Sequence, residues 1–329
     1  MNTSSYNFQK IEEKNILVTG CAGFIGSHLT ENLVSLGARV IGIDNFYNGL
    51  TANLRNFIDK PNFKFYQGDV RDGAFLHEIV KGIDIIFHVG AFISVQLSLK
   101  MSELCNDINV NGTLNILNAA RLNDVDRVIF SSSAALYGNN PELPKHEKMY
   151  PESLTPYGVS KLAGESYMIT FFKAYGLKTT ALRYFNAYGP RQRKNAYSGV
   201  ISVFAEEILQ QGKNPTIFGD GTQTRDFIFV KDIVKANILA ATHSKSAGEV
   251  FNVATGKPID INSLTKLILK YSNREDLKIK YAPPRKGDIL HSQADITKIQ
   301  KMLGFKPDYT TEKGLKIYID YLKGNMEKL

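Results

Sequence analysis

The feature that most restricts the fold of this chain is a set of three glycines, spaced three residues apart, that follows an apolar segment near the start. Residues 15–20 form a predicted buried strand, and Gly20, Gly23 and Gly26 lead into a helix expected at about residues 27–36. Glycines at this spacing permit a tight turn, a close approach of the backbone to a pyrophosphate, and a helix N-terminus that faces the anion. The segment predicts the first strand, turn and helix of a dinucleotide-binding α/β sheet.

A carboxylate follows the next predicted strand. Residues 39–43 form this strand, and Asp44 stands close to the distance from the glycines at which an acidic residue binds the ribose hydroxyls of adenosine. A carboxylate would repel a 2′-phosphate, so Asp44 favours NAD over NADP. The alternative interpretation of Asp44 is an ordinary turn residue at the end of a strand.

Strands continue to alternate with helices up to residue 184. Further strands are predicted at residues 63–67, 83–88, 127–132 and 178–184, and a helix at residues 107–122. This alternation predicts a parallel sheet with helices on both faces and a ligand at the carboxyl ends of the strands, where Ser131, Ser132 and Ser133 fall. His88 ends an apolar strand and is interpreted as structural, because the sequence offers it no obvious partner.

Tyr157 and Lys161 share one face of a predicted helix that Thr155 can cap, Pro156 can begin and Gly176 can end. A phenol with an ordinary pKa of about 10 is a poor base at neutral pH. A nearby ammonium and a cationic nicotinamide ring would both favour the phenolate. The pair is therefore a candidate base for an alcohol, although two half-exposed helix residues at this spacing are also common in helices without a catalytic role.

The regular alternation weakens after residue 198. Helices are predicted at residues 200–211, 232–242, 262–271, 297–303 and 311–323, and short strands at residues 216–218, 227–230 and 277–281. We expect a polar N-terminal extension at residues 1–14, a mainly NAD-binding domain at residues 15–197, and a mainly substrate-binding lobe at residues 198–329, from which some segments return to the first sheet.

Charge and cysteine content limit the expected partners. The net charge is +8 and the pI about 9.2, but the 40 Lys and Arg residues are scattered, so no nucleic-acid surface is expected. Cys21 and Cys105 do not suggest a disulfide framework. No segment stays apolar for the roughly 18 residues that cross a membrane. We expect a soluble cytoplasmic protein with no membrane partner and no metal site.

Seven residues in this order, together with four segments, resemble a known family. They are Gly20, Gly23, Gly26, Asp44, Ser133, Tyr157 and Lys161, and residues 131–138, 183–186, 219–226 and 285–288. From residue 16 to about residue 321 the sequence resembles the extended short-chain dehydrogenase/reductase superfamily and, within it, the UDP-sugar 4-epimerases. The resemblance implies a Rossmann-type doubly wound parallel sheet with a smaller α/β substrate-binding lobe, bound NAD, a UDP-sugar substrate, and a homodimer joined by helices at residues 107–122 and 157–175.

The resemblance also implies a role for each matching residue. Tyr157 would be the base, Lys161 its electrostatic partner, and Ser133 a hydrogen-bonding partner of the sugar 4-oxygen and of Tyr157. The implied NAD contacts are Gly20, Gly23, Phe24, Ile25, Gly26, Asp44, Asn45, Asn48, Gly49, Asp69, Val70, Ala91, Asn109, Ser131, Tyr157, Lys161, Tyr184 and Phe185. The implied substrate contacts are Ser94, Ser133, Asn186, Val200, Phe218, Arg225, Arg285, Asp288 and Ser292. Among these, Arg225 and Arg285 would bind the diphosphate and Asp288 the uridine ribose.

Two alanines distinguish epimerisation from related reactions within this resemblance. Sugar-nucleotide 4,6-dehydratases carry Asp and Glu at the positions of Ala134 and Ala135, and decarboxylases carry Glu at the second. Alanine transfers no proton, so elimination of water loses its acid and base. The prediction is an isomerase that inverts C4 of a UDP-hexose through a 4-keto intermediate, and a non-catalytic NAD-binding regulator is the remote alternative.

Position 292 bears on the choice of sugar. In the family, a tyrosine there restricts the pocket to glucose and galactose, whereas a small residue such as Ser292 accompanies acceptance of the N-acetyl forms. Ser94 also resembles the N-acetylhexosamine-accepting members, and Ile93 replaces a lysine found near the cofactor in some glucose/galactose enzymes. UDP-glucuronate stays open as an alternative, because Arg191 and Arg193 could meet a carboxylate, although both could equally lie on a solvated loop.

Overall fold

The computed structural model describes residues 10–192, 199–284 and 289–326. Its strands are β1 Asn15–Thr19, β2 Arg39–Asp44, β3 Phe63–Gln67, β4 Ile85–His88, β5 Arg127–Ser133, β6 Lys178–Tyr184, β7 Asn186–Tyr188, β8 Thr216–Phe218, β9 Thr224–Arg225, β10 Phe227–Phe229, β11 Glu249–Val253, β12 Ile259–Asp260 and β13 Lys280–Ala282. Seven strands form one parallel sheet in the order β11-β6-β5-β4-β1-β2-β3. The order reverses beside β1, which is where open α/β sheets bind their ligands.

Helices cover both faces of this sheet, which confirms the doubly wound arrangement. They are α1 Phe24–Ser35, α2 Gly73–Ile79, α3 Val95–Ser98, α4 Ser102–Asn106, α5 Gly112–Leu122, α6 Pro156–Tyr175, α7 Val200–Gln211, α8 Val230–Thr242, α9 Ile261–Ser272, α10 Thr297–Leu303 and α11 Thr311–Met326. One core includes Leu29 of α1 and Ile233 of α8, and a second includes Leu76 of α2 and Met168 of α6. A third apolar cluster joins α7, α9 and α11 and forms the core of the smaller lobe.

The seventh strand of the sheet, β11, is missing from the sequence-based prediction. It pairs with β6 along its whole length, so the chain returns to the first sheet after residue 198. Asn252 interrupts the apolar run of β11, and its buried side chain donates hydrogen bonds to the carbonyl groups of Lys145 and Asp295. A five-residue strand with a polar residue at a buried position lacks the period that identifies strands. The domain boundaries stay a prediction.

Helix α6 has the bounds that its sequence predicts. The Thr155 hydroxyl accepts a hydrogen bond from the Gly158 amide at 3.2 Å, Pro156 stands in the first turn, and Gly176 ends the helix with a φ of 72°. The helix predicted at residues 107–122 instead begins with α4 and contains a π-helical turn before α5. Helix α1 begins at Phe24, three residues before the expected start, because Gly23 is its N-cap.

Both cysteines are buried and free, and burial raises the pKa of each thiol. Within residues 10–192, 199–284 and 289–326, no helix combines the length and apolar character needed to cross a membrane. The same ranges contain no group of three or more His, Cys, Asp or Glu side chains arranged to hold a metal ion.

Candidate active site

Two adjoining cavities lie beside the carboxyl ends of the central strands. The first, of about 550 Å³, extends from the glycine turn to Tyr157, and the second, of about 700 Å³, lies between β7, α7 and β8. Ala187, Gln192 and Gly199 line both cavities. Two ligands bound in these cavities would therefore meet.

The first cavity contains almost every residue predicted to contact NAD. Its lining includes Gly20, Gly23, Phe24, Ile25, Gly26, Asp44, Asn45, Asn48, Gly49, Asp69, Val70, Ala91, Ser131, Tyr157, Lys161, Tyr184 and Phe185, together with Ser94 and Ser133. The second cavity is lined by Asn186, Val200, Phe218 and Arg225 from the predicted substrate set. Arg285 and Asp288 lie outside the residues that the structure describes.

The glycine turn leaves room for a pyrophosphate at the start of α1. Gly20 has a φ of 69°, and a Cβ atom at Gly26 would overlap the carbonyl oxygen of Gly20. Gly23 caps α1 without a side chain, so the first amides of the helix receive no side-chain cap from it. Unpaired amides at a helix N-terminus bind anions well, and these residues fit the diphosphate of NAD.

Asp44 is fixed at the end of β2 by its neighbours. Its carboxylate accepts hydrogen bonds from the amides of Ala22 at 3.0 Å and Phe46 at 2.8 Å. A Cβ atom at Gly49 would lie 2.7 Å from Asp44 Oδ1, so glycine is needed there. Burial raises the pKa of Asp44, and the two amides oppose this effect. The arrangement fits two ribose hydroxyls, and the negative charge of Asp44 would repel a 2′-phosphate.

A second carboxylate, Asp69, lies farther along the same cavity. It accepts hydrogen bonds from Arg71 Nη2 at 2.9 Å and from Asn45 Nδ2 at 2.8 Å. The Arg71 guanidinium lowers the pKa of Asp69 to about 2. Asp69 is therefore a charged acceptor at neutral pH, suited to the amino group of adenine.

Tyr157, Ser133 and Lys161 meet at the other end of the cavity. The hydroxyl of Ser133 faces that of Tyr157 and acts on its pKa as a hydrogen-bonding group, and Ser133 Oγ accepts a hydrogen bond from the Ala135 amide at 3.1 Å. Lys161 Nζ donates to the Ser131 carbonyl at 2.9 Å and lies 5.9 Å from the centre of the Tyr157 ring. The three predicted catalytic residues are thus close together on β5 and α6.

Burial changes the protonation of this group in a way that the sequence did not predict. It raises the pKa of Tyr157, and the hydrogen bond with Ser133 opposes that rise, whereas Lys161 was expected to do so. Burial also lowers the pKa of Lys161 to about 8. The protein by itself therefore keeps Tyr157 as a phenol. The positive charge of a bound, oxidised nicotinamide would favour the phenolate.

Two polar residues near the cavity have supporting roles. Asn109 was predicted to contact NAD, but it does not line the cavity. Its side-chain amide is buried, accepts a hydrogen bond from the Phe92 amide and donates one to the Phe92 carbonyl. The ring of His88 lies between the hydroxyls of Thr19 at 2.9 Å and Thr113 at 3.1 Å, and burial lowers the pKa of His88 to about 3. His88 is neutral and structural, as its position suggested.

The loop after β7 provides two cavity residues, of which sequence reasoning missed Gln192 and considered Arg191 only as a partner for a carboxylate. Gln192 lines both cavities, and its Nε2 donates to the Ala187 carbonyl at 3.1 Å. Arg191, at a φ of 67°, lines the first cavity and forms an ion pair with Glu31 of α1. The only sequence signal for this loop is Gly189 followed by proline, which predicts a turn without identifying its contacts.

Ser292 does not line either cavity. It is half-buried, and its amide donates to the Thr224 carbonyl at 3.1 Å. Thr224 precedes Arg225, which lines the second cavity, so Ser292 lies on the segment beside the cavity wall.

Comparisons with known proteins agree with this geometry. The family described as GDP-mannose 4,6 dehydratase matches residues 17–318. A UDP-glucose 4-epimerase of Mycolicibacterium smegmatis is 34% identical over 94% of this chain and 99% of its own. Among solved structures, a UDP-N-acetylglucosamine 4-epimerase from Methanobrevibacter ruminantium in complex with UDP-N-acetylmuramic acid is 40% identical, with a TM-score of 0.91 over 96% of this chain and 100% of its own. A UDP-glucuronic acid 4-epimerase from Bacillus cereus, in complex with UDP-glucuronic acid and NAD, is 31% identical, with a TM-score of 0.87 over 94% of this chain and 99% of its own.

Proposed function

The chain belongs to the UDP-sugar 4-epimerases of the extended short-chain dehydrogenase/reductase superfamily, which are NAD-dependent isomerases, and we propose that it inverts C4 of both plain and N-acetylated UDP-hexoses. The proposed substrates are UDP-glucose, UDP-galactose, UDP-N-acetylglucosamine and UDP-N-acetylgalactosamine. The observation that carries the proposal is the placement of Ser133 beside Tyr157 at one end of the first cavity, next to a second cavity. The second cavity has the volume of a small-molecule site and shares wall residues with the first, so a nucleotide sugar bound in it would meet NAD.

The proposed mechanism assigns one proton transfer to Tyr157. The glycine turn and Asp44 would hold NAD, which when bound would supply the acceptor and donor of the C4 hydride. Tyr157 takes the proton of the 4-hydroxyl, Ser133 hydrogen-bonds the same oxygen, and Lys161 supplies a nearby positive charge. The 4-keto sugar then turns over, and Tyr157 returns the proton after hydride transfer to the opposite face. The hexose must be held loosely, because a tight fit to one epimer would raise the barrier to turning.

Ala134 and Ala135 support epimerisation over elimination of water. They follow Ser133 directly, in a short turn after β5, and carry no group that could transfer a proton. This matters because the matching family bears the name of a dehydratase.

Ser94 supports acceptance of an N-acetyl group. It lines the first cavity and caps α3, its Oγ accepting from the Leu97 amide at 3.0 Å. This leaves the hydroxyl proton available to an acetamide oxygen. Ser292 is small at the position where the family resemblance relates residue size to N-acetyl sugars, and it lies on the segment beside the wall of the second cavity.

The proposal is tested by purifying the protein without added cofactor and following C4 inversion by proton NMR. UDP-galactose and UDP-N-acetylgalactosamine are incubated separately. Conversion of both is the expected result. Conversion of UDP-galactose alone would remove the N-acetyl part of the proposal, and conversion of neither, with NAD present in the protein, would contradict the proposal for both substrates.

Replacement of Ser292 by tyrosine is expected to reduce N-acetyl activity selectively. A bulky ring beside Arg225 would occupy the space of the acetamide, and we expect kcat/KM for UDP-N-acetylgalactosamine to fall about 100-fold, within the range of steric selection by a pocket. UDP-galactose should be converted at nearly the wild-type rate. Ser292→Ala is the matched control and should leave both activities unchanged; equal losses for both sugars in the tyrosine variant would contradict the steric explanation.

UDP-glucuronate is the second candidate substrate, because the Bacillus cereus structure contains it. Arg191 gives this candidate little support, since its guanidinium is already paired with Glu31. Arg193 lies outside the described residues.

We also propose a cytoplasmic homodimer formed through α5 and α6. Leu122, Val159 and Tyr175 on these helices are 58%, 54% and 56% exposed. Large apolar side chains at such exposure on adjacent helices suit a helix-to-helix interface.

A further inference from the structure

A buried ion pair lies behind the catalytic end of α6. Glu165 follows Lys161 by one helical turn, and its carboxylate accepts hydrogen bonds from Arg183 Nε at 2.9 Å and Nη2 at 2.8 Å. The side chains of Arg183 and Glu165 are only 5% and 3% exposed, respectively, and neither residue lines either cavity. The pair therefore acts on the site only through other residues.

The same carboxylate is connected to the strand that carries Ser133. Ser132 Oγ donates to Glu165 Oε1 at 2.5 Å, and Ser132 lines the first cavity beside Ser133. Arg183 stands on β6, the neighbour of β5 in the sheet. One ion pair thus joins α6 to the cavity ends of two adjacent strands.

Arg183 extends this connection to β11. Its Nη1 donates to the Tyr137 hydroxyl at 2.8 Å, and that hydroxyl donates to Asn252 Oδ1 at 2.7 Å. Tyr137 and Asn252 are both buried. Hydrogen bonds in such a buried network are stronger than exposed ones, so the network is a rigid support for the strand ends.

We propose that Glu165 is a positioning residue, which, with Arg183 and through Ser132, fixes the distance between Ser133 on β5 and Tyr157 on α6. This inference rests on the proposed roles of Ser133 and Tyr157. Ser133 and Tyr157 stand on two different elements, so the distance between their hydroxyls depends on how α6 lies against the end of β5. The link from Ser132 to Glu165 holds the same two elements together, one residue along the strand and two turns along the helix. A misplacement of about 1 Å between reacting groups lowers a rate by as much as about 100-fold.

A purely structural role for Glu165 predicts a different outcome. Loss of stability alone would reduce the amount of folded enzyme and leave the pH dependence of kcat unchanged. A longer distance between Ser133 and Tyr157 would weaken the hydrogen bond that lowers the pKa of Tyr157, so the pH profile would move to higher pH. The other titratable groups that face Tyr157 in the described ranges are Lys161 on α6 and Cys105 on α4, and the test leaves both intact.

Ser132→Ala removes the link to β5 and keeps the ion pair. Thr179→Ala is the matched control, because Thr179 is a buried strand residue whose hydroxyl donates to the Met168 carbonyl of the same helix at 2.5 Å. Thr179 lies at the start of β6, away from the carboxyl ends of the strands. We expect Ser132→Ala to lower kcat by about 10- to 100-fold, with little change in KM for UDP-galactose, and to move the pH profile of kcat upward. Thr179→Ala should keep the wild-type kcat and profile.

Glu165→Gln tests the carboxylate itself. Glutamine keeps an oxygen that Ser132 can reach but weakens the contact with Arg183. We therefore expect kcat to fall between the wild-type and Ser132→Ala values and the pH profile of kcat to move upward. Combining it with Ser132→Ala should add little to the single loss, because both changes break one link. Thermal denaturation and bound NAD identify any variant that fails to fold, and Ser132→Ala decides the result if Glu165→Gln unfolds. A Ser132→Ala enzyme that matches Thr179→Ala in kcat and pH profile would overturn this inference, whereas a wild-type protein without turnover would contradict the proposed function instead.

Discussion

Replacement of Tyr157 by phenylalanine is expected to lower kcat for UDP-galactose by about 10²- to 10⁴-fold, the usual contribution of a positioned acid or base. The phenyl ring keeps the packing of a partly buried side chain and loses only the oxygen that faces Ser133. Without this oxygen, no side chain at that position can take the proton of the 4-hydroxyl as hydride leaves. The measurement is C4 inversion by proton NMR at saturating substrate, together with the NAD content of the purified variant, which should equal that of the wild type.

Tyr167→Phe is the control for this substitution. Tyr167 stands on the same helix and packs, partly buried, against the same apolar cluster as Tyr157. Loss of its hydroxyl should leave turnover unchanged. Wild-type turnover in the Tyr157→Phe enzyme would show that another group accepts the proton, and a loss of NAD would mean that the residue acts in binding.

The parts of the candidate site whose placement follows from the sequence depend on short-range rules. The glycine turn places Gly20, Gly23 and Gly26 within one loop, and Asp44 ends the neighbouring strand in the sheet. Tyr157 and Lys161 are one helical turn apart, so helical spacing alone puts them on one face. The parallel sheet then brings these segments to the same edge, because all of its strands end there.

The parts that the sequence did not predict depend on contacts between distant segments. Asn109 bonds Phe92 from behind the cavity wall, and Glu165 reaches Arg183 across two elements. Neither pairing follows from local periodicity, because the packing of whole helices on the sheet determines which side chains meet. The pKa of Tyr157 is a similar case, since the degree of burial decides its direction and burial is a property of the complete fold.

The choice of sugar depends even more on distant segments. Ser292 comes from the lobe, Ser94 from the loop before α3, and Ser133 from β5, so the residues proposed to surround the hexose come from three separate regions. Resemblance to a family identifies these positions, but only the packing of the lobe determines the space that each one leaves. The reaction therefore follows from the chemistry of a few groups, such as Tyr157 and Ser133, whereas the choice of substrate has to be tested by incubation with both sugars.

Replacement of Gly26 by alanine is expected to abolish NAD retention. A Cβ atom there would overlap the carbonyl oxygen of Gly20, and neither atom belongs to a flexible side chain that could move aside. Overpacking of a rigid site costs about 1–3 kcal/mol, and the upper end corresponds to roughly 100-fold weaker binding. The NAD released from the purified variant by heat denaturation should therefore be a small fraction of the wild-type amount, and turnover should fall with it.

Two further alanine substitutions make this test specific. Gly23→Ala places a Cβ 3.2 Å from the same oxygen, a tight but tolerable distance, so it should retain more NAD than Gly26→Ala. Gly324→Ala introduces the same methyl group into α11, where nothing lies within 4 Å, and it should leave NAD content and turnover at wild-type levels. Full NAD retention by Gly26→Ala would mean that the turn can shift to admit a side chain. The close packing of Gly20 against α1 would then not be required for binding the diphosphate of NAD.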